Sequence, residues 1–217
     1  MWSRLGSSMR TRIAAVAGLL FLAGIGLTTL FVTRILYDEM QAMLFKQQLT
    51  TTRYVARDID GKLALRMESL KRVANNIPPA LLNQPQALQA WLEDRKAIHT
   101  LFPTGLMIIP PDGGPTLAEA PRLQTRPRSF VDRDWFIAAS TTHRATFSKP
   151  LVARATQQPA IVLAIPVLDS NDKLLAVMAG VTPLAAPGFL DLIQEAAPGK
   201  AGSYQLVSPK HRSYALT

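Results

Sequence analysis

One arginine and several aromatic side chains form the part of this sequence best suited to bind a small molecule. Arg133, Trp135 and Phe136 lie within four residues of one another, with Phe130 and Asp134 beside them. A guanidinium group presents a planar fork that holds a carboxylate through two hydrogen bonds. Aromatic rings supply the rigid apolar walls that ligand pockets favour. We therefore take these five residues as the candidate ligand-binding residues.

The charge around this group has the sign that attracts an anion. Residues 122–154 carry seven basic side chains against only Asp132 and Asp134, and such a region raises the local concentration of anions. A structural interpretation competes with this one. In it Arg133 pairs with one of the two aspartates on the surface, and the aromatic residues belong to the core of a short helix.

Other chemistries find little support. The chain has no cysteine and only three histidines, His99, His143 and His211. Thiol catalysis and thiolate metal sites are therefore excluded. No H-E-x-x-H, G-x-S-x-G or P-loop pattern is present. We predict no metal, no cofactor and no enzyme activity for this stretch of chain.

An anchored hydrolase is a minor alternative. His143 follows three hydroxyl side chains, Ser140, Thr141 and Thr142, and is the only local candidate for a base beside a nucleophile. Neighbours one or two positions apart on a helix do not face each other. The sequence therefore disfavours this grouping.

An uncharged run at residues 13–33 organises the rest of the chain. Its 21 residues, as a helix rising about 1.5 Å per residue, would cross a hydrocarbon core of about 30 Å. The run is too long for the apolar core of a cleaved signal peptide, and no small-residue cleavage site follows it. We predict an uncleaved signal anchor after a cytoplasmic segment, residues 1–12.

Orientation follows from the flanking charges. Arg4, Arg10 and Arg12 precede the span without any acidic residue, whereas basic and acidic residues are nearly balanced after it. Because the flank richer in arginine and lysine stays in the cytoplasm, the remainder should face the periplasm. The net charge of +9 includes four arginines in residues 1–34, so residues 35–217 carry +5. We predict no nucleic-acid partner.

The exported part is predicted to be an α+β domain. Residues 34–78 form a long helix whose apolar side chains recur every three or four positions, namely Ile59, Leu63, Met67, Leu70, Ala74 and Ile77. A second helix is expected at 85–100, a strand at 106–109, a loop at 115–129 and a short helix at 132–142. Three strand candidates follow at 145–154, 160–168 and 174–182, joined by hairpin-like turns and therefore antiparallel. Pro166 should mark a bulge or an edge.

Two stretches carry a family resemblance. RSFVDRDWFIAAS, followed by KPLVARATQQPAIVLAIPVLDSNDKLLAVMAGVTPL, resembles the double Cache sensor domain of bacterial transmembrane receptors. The resemblance implies an antiparallel PAS-like sheet with a ligand pocket beside the loop that carries the Asp-Arg-x-Trp-aromatic word. It implies that Arg133 binds a ligand carboxylate and that Trp135 and Phe136 wall the pocket. Residues 79–200 would be the membrane-distal sensor domain.

Departures from the family pattern restrict the ligand. Members that bind amino acids hold the amino group with aspartates, but the matching places here are Ala153 and Gly180-Val181. The aromatic residue that usually precedes the arginine by five positions is replaced by Arg128, although Phe130 is near. A free amino acid would leave its ammonium group poorly compensated, so we expect a small carboxylate or another anion.

The predicted function is an extracytoplasmic sensor of a membrane receptor. Helix 190–197 and a strand at 203–207 are expected last, and residues 201–217 only begin a membrane-proximal part. We therefore expect a longer protein with a cytoplasmic output domain, namely a diguanylate cyclase, a chemotaxis signalling rod or a histidine kinase, and the sequence resembles the diguanylate cyclase group most. A homodimer through the long helix is expected. The alternative is a membrane-anchored envelope interaction or structural protein without a small-molecule ligand.

Overall fold

The chain divides into two compact units, residues 1–53 and 54–217. The computed structural model describes residues 9–122, 129–186, 189, 205–206 and 214–215. Helix α1, Met9–Asn75, supplies all of the described first unit. It is the one helix in the described part of the chain that is long and apolar enough to cross a membrane, and its apolar stretch is not buried by the rest of the protein.

Threonine hydroxyls along α1 are satisfied within the helix. Thr28, Thr29 and Thr33 donate to carbonyl oxygens four residues earlier, at 2.7–2.8 Å. The Thr50–Thr52 run does the same. Such bonds satisfy the hydroxyl groups within the helix itself, and α1 continues through the Thr50–Thr52 run without a break.

Helices cover one face of the second unit. The predicted apolar stripe is confirmed, since Ile59, Leu70 and Ala74 of α1 are buried, and so is Ile77 just after its end. A 3-10 helix at Pro79–Asn83 follows, then α2 at Pro85–Glu93 and α3 at Lys96–His99. The single helix predicted at 85–100 is wrong. Arg95 leaves the helical region, with φ −85° and ψ 57°, and its guanidinium stacks 3.3 Å from the centre of the Trp91 ring.

A six-stranded antiparallel sheet forms the centre of this unit, as predicted. Its strands are β1 (Gly105–Ile109), β2 (Ala118–Ala120), β3 (Thr146–Phe147), β4 (Leu151–Val152), β5 (Pro159–Leu168) and β6 (Leu174–Pro183). The order is β2-β1-β6-β5-β3, with β4 also paired to β5. Asp169 shapes the β5–β6 turn by accepting hydrogen bonds from the backbone N–H groups of Asn171 and Lys173.

The position of Pro166 agrees with the edge expected there. It pairs with Val177 on β6, whereas on the opposite side β3 reaches only as far as Ala164 within the described residues. A proline has no N–H to donate, so it fits where one side of the strand is unpaired. The register shift of this hairpin comes one residue later, between Val167 and Leu168.

Two strand predictions need correction. The strand predicted at 145–154 is two short strands, because Pro150 cannot donate to the ladder and Ser148 takes over the pairing with Val162. The loop predicted at 115–129 contains β2, an Ala-Glu-Ala segment of low strand propensity. Gln89 of α2 holds this edge strand through both backbone groups of Glu119, at 2.6 and 3.0 Å.

The sheet separates two apolar clusters. The larger one packs α1, α2 and α3 against the first face. The second joins Met107, Val162 and Val181 of the sheet to Trp135, Phe136 and Ala139 of α4, Asp134–Thr142. This arrangement confirms the predicted α+β architecture and places the helix with the candidate residues on the second face. Gly180 is required on the first face, because a Cβ there would lie 2.5 Å from the Phe102 ring.

The C-terminal expectations are met only in part. Strands β7 (Gln205–Leu206) and β8 (Tyr214–Ala215) form a separate two-stranded antiparallel sheet. This agrees with the strand expected at 203–207. The helix expected at 190–197 lies outside the described residues, and the proposed domain boundaries stay predictions.

Candidate functional site

A short loop fixes the start of α4 against the sheet. The N–H of Phe130 donates to the carbonyl oxygen of Gly113 at 2.8 Å, and the N–H of Arg133 donates to the carbonyl oxygen of Phe130 at 2.9 Å. Gly113 has φ +69°, and a Cβ there would come within 2.7 Å of Val131 and 2.9 Å of Phe136. The glycine therefore allows the loop to approach the β1–β2 connection and sets the position of Arg133.

A small cavity lies between this loop and the sheet. Its volume is about 50 Å³, and its wall is almost entirely carbon. We call it the inner chamber. Its lining comes from Phe130, Arg133 and Trp135 of the loop and α4, Met107, Val162 and Val181 of the sheet, Leu151, Ala153 and Arg154 around β4, and Glu119 of β2, among others.

Arg133 is half-buried at this cavity. Within the described residues its guanidinium makes no hydrogen bond or ion pair, and the charges that act on it are those of Arg154 and Asp132. Burial lowers the pKa of Arg133, and the neighbouring Arg154 lowers it further, while Asp132 opposes both. A partly desolvated cation in a cleft is typical of a binding site.

Arg154, and not Arg133, is bound to Asp132. It forms an ion pair with Asp132 and donates to the carbonyl oxygen of Ser129 at 3.1 Å. The hydrogen bond from Arg154 is the main reason that the pKa of Asp132 lies below its usual range. The surface pair that the structural interpretation assigned to Arg133 and Asp132 is therefore made by Arg154 instead.

A second, more open recess adjoins the inner chamber. It has a volume of about 230 Å³ and is lined by Asp132, Arg133, Asp134, Trp135, Ser148, Lys149, Pro150 and Leu151. We call it the outer recess. Arg133, Trp135 and Leu151 line both spaces, so these three side chains form the boundary between an apolar interior and a polar exterior.

The five candidate residues do not share one role. Phe130, Arg133 and Trp135 line the inner chamber, and the Phe130 and Trp135 rings lie 5.9 Å apart. Phe136 does not line it. As the next residue on α4 it turns away into the core, with its ring edge-on to Trp135 at 6.2 Å. Asp134 is exposed and lines only the outer recess.

Sequence reasoning missed Glu119 and did not single out Arg154. Both line the inner chamber, beside Ala153 and Val181, which stand where the resemblance placed amine-binding residues. Glu119 is buried on β2, opposite Met107. A single acidic residue between two alanines was the available signal. Glu119 could be assigned to the site only once this segment was known to be a strand.

The described residues do not bring together the groups that a hydrolase or a metal site would need. Ser140 and Thr141 donate to the carbonyl oxygen of Ile137, and Thr142 donates to that of Ala138. No described hydrogen bond joins any of these hydroxyls to His143. Nor does the described part of the chain hold three His, Asp or Glu side chains together for a metal ion.

One further concave surface lies on the helical side of the sheet. This open groove has a volume of about 620 Å³ and is lined by Arg72, Asn76, Trp91 and Arg95, among others. Arg95 is committed to the Trp91 ring and to the carbonyl oxygen of Trp91 at 2.6 Å. Arg72 is exposed and pairs with Glu68 at 3.3 Å, so neither of these two arginines is half-buried without an ion pair as Arg133 is.

Comparison with known proteins bears on the fold of this chain. No protein-family model matches the chain, and no curated protein matches it. Among solved structures the chain is similar to ligand-binding domains of chemoreceptors and to the ligand-binding domain of Mlp24. This agrees with the fold that the Cache resemblance implied.

Three of these structures show the extent of the similarity. The ligand-binding domain of Pseudomonas fluorescens chemoreceptor CtaA in complex with L-serine has a TM-score of 0.56 at 22% identity, covering 73% of this chain and 65% of that chain. Its complex with L-isoleucine has a TM-score of 0.56 at 24% identity, covering 73% of this chain and 62% of that chain. The ligand-binding domain of Mlp24 with asparagine has a TM-score of 0.56 at 16% identity, covering 73% of this chain and 64% of that chain. This chain spans less than two thirds of the length of these domains.

Proposed function

We propose that this chain is the extracytoplasmic small-molecule sensor of a membrane signal-transduction receptor. The observation that carries the proposal is the half-buried Arg133 at the edge of an apolar cavity walled by Trp135, in a fold shared with chemoreceptor ligand-binding domains. The structurally similar domains bind L-serine, L-isoleucine and asparagine. Each of these ligands carries a carboxylate, the group that a guanidinium fork recognises best.

The ligand that we propose is a small carboxylate or a similar anion. Arg133 supplies a positive charge that no described carboxylate neutralises directly, because Asp132 is bound to Arg154. Desolvation strengthens the attraction between this charge and an anion relative to the same pair in water. Trp135 and Phe130 would cover the ligand from the side of the loop.

A thermal-shift screen of the full chain in detergent tests the proposal. The screen compares organic acids, amino acids and cationic amines, each at several concentrations. We expect organic acids to raise the melting temperature, because a ligand that binds only the folded state stabilises it by mass action. A screen dominated by cationic amines would contradict the proposal. No shift with any compound would favour the alternative, an envelope interaction protein without a small-molecule ligand.

The proposed localisation is the inner membrane, with residues 34–217 in the periplasm. It rests on the apolar stretch of α1 and on the arginines that precede it. Alkaline phosphatase fused after Thr217 should be active, because this enzyme folds only after export. An inactive phosphatase fusion together with a fluorescent cytoplasmic reporter at the same site would reverse the orientation.

Signal transmission is proposed to run through α1. Leu36, Met40 and Met43 are exposed on this helix at spacings of four and three residues, a pattern suited to packing against a second copy. Ligand binding would transmit a signal only if it favoured one arrangement of the two helices over another. A cytoplasmic output of the diguanylate cyclase, chemotaxis or histidine kinase type is proposed on the Cache resemblance alone.

A further inference from the structure

The division of the site into two spaces bears on how a carboxylate would be oriented. The inner chamber has an almost wholly apolar wall, whereas Asp132, Ser148 and Lys149 line the outer recess. Arg133 lies at the boundary, since it lines both. A ligand with one charged end and one apolar end would therefore place its carboxylate at Arg133 and its hydrocarbon part in the inner chamber.

The inner chamber offers little to a second polar group. Ala153, Val162 and Val181 contribute only carbon to its wall and are buried. The guanidinium of Arg154 is engaged by Asp132 and Ser129. Glu119 also lines the chamber, with its Oε2 atom fully buried, so it is the acidic side chain of the described lining that a cationic group would meet. An ammonium group placed in the chamber away from Glu119 would lose its hydration without equivalent replacement.

The volume of the inner chamber limits the length of the hydrocarbon part. A water-sized group takes roughly 10–15 Å³ on this measure, so the chamber of about 50 Å³ holds roughly three to five such groups. Methyl and methylene groups are close to water in size. The chamber therefore fits a chain of about two to four carbons.

We propose that the ligand is a short unbranched aliphatic monocarboxylate, such as propanoate or butanoate. Its carboxylate pairs with Arg133 at the boundary and its hydrocarbon chain fills the inner chamber. This assignment rests on the proposed function and adds to it a chain length and an orientation of the ligand. Val162 and Ala153, on the chamber wall, then set the longest chain that the site accepts.

Titration calorimetry on the full chain in lipid nanodiscs tests the assignment. The ligands are acetate, propanoate, butanoate, hexanoate and octanoate, with L-alanine as the amine-bearing counterpart of propanoate. We expect affinity to rise about fourfold per methylene up to butanoate, as each buried methylene leaves water. Hexanoate should bind at least tenfold more weakly than butanoate, and L-alanine more weakly than propanoate.

Two wall variants and a matched control make the result specific to the chamber. Val162→Ala enlarges the chamber and should move the optimum towards longer chains, whereas Ala153→Leu fills it and should weaken butanoate at least tenfold more than acetate. Val152→Ala makes the same change as Val162→Ala at an exposed residue of β4 outside the chamber, and should leave the order of affinities unchanged. Thermal melting identifies any variant that fails to fold.

Several outcomes would overturn the assignment. One is a Val162→Ala variant that folds but prefers the same carboxylate chain length as the unchanged protein. Another is tighter binding of L-alanine than of propanoate, with the preference lost in Glu119→Gln, since Glu119 would then receive the ammonium group. Carboxylate binding that depends on Arg133 but not on chain length would overturn only this assignment. Absence of binding by every acid would overturn the proposed function as well.

Discussion

Replacing Arg133 with alanine is expected to weaken ligand binding by about 10- to 150-fold. A hydrogen bond to a charged partner contributes about 1.5–3 kcal/mol, and each 1.4 kcal/mol corresponds to about a tenfold change in affinity. The guanidinium lies at the edge of the inner chamber and is not tied to any described carboxylate. Its removal should therefore change binding more than folding. Calorimetry measures the affinity, and thermal melting of the unliganded protein checks the fold.

Two companion variants separate geometry from charge. Arg133→Lys keeps the charge but lacks the planar fork, so it should restore only part of the affinity. Arg144→Ala removes the same charge from an exposed position in the same basic segment and should change the affinity by less than about threefold, as expected of a distant screened charge. Equal losses in Arg133→Ala and Arg144→Ala would mean that general basicity, rather than the site, attracts the ligand.

Replacing Val177 with aspartate is expected to unfold the second unit. Val177 is fully buried in β6 and pairs with Ile109 on β1 and Pro166 on β5. An unpaired carboxylate at this depth costs several kcal/mol, a large share of the 5–15 kcal/mol that stabilises a typical domain. Urea unfolding followed by tryptophan fluorescence measures the loss, because Trp135 lies in the same apolar cluster.

The matched control is Val152→Asp. Val152 lies on the neighbouring strand β4 but is 54% exposed, so the same substitution should change the free energy of unfolding by no more than about 0.5 kcal/mol. If Val177→Asp unfolded at the same urea concentration as Val152→Asp, the assignment of β6 as a central strand would be wrong.

The parts of the fold that the sequence predicted well are those where hydrophobic pattern and length agree. β5 and β6 are long apolar runs joined by an Asp-Ser-Asn-Asp-Lys turn, and the face of α1 that packs on the sheet follows a clear three-and-four spacing. Failures occurred where a single local contact overrode the pattern. Pro150 divided one predicted strand, and Arg95 stacking on Trp91 accompanies the break of one predicted helix.

The candidate site was predictable only where its residues are neighbours in the chain. Phe130, Arg133 and Trp135 fall in one short segment, and all three line the inner chamber. Glu119 and Arg154 reach the same space from β2 and from the turn after β4, which are distant in sequence. Their convergence depends on sheet register, and β2 is too short and too poor in strand-forming residues to reveal its register.

The position of a bound ligand tests the central claim most directly. A crystal structure of the full chain with the carboxylate that gives the largest thermal shift should show its two oxygens at hydrogen-bonding distance from the guanidinium of Arg133. Its hydrocarbon part should lie against Trp135, inside the inner chamber. The same carboxylate bound instead in the groove beside Arg95 and Trp91, with the chamber at Arg133 unchanged, would contradict the account.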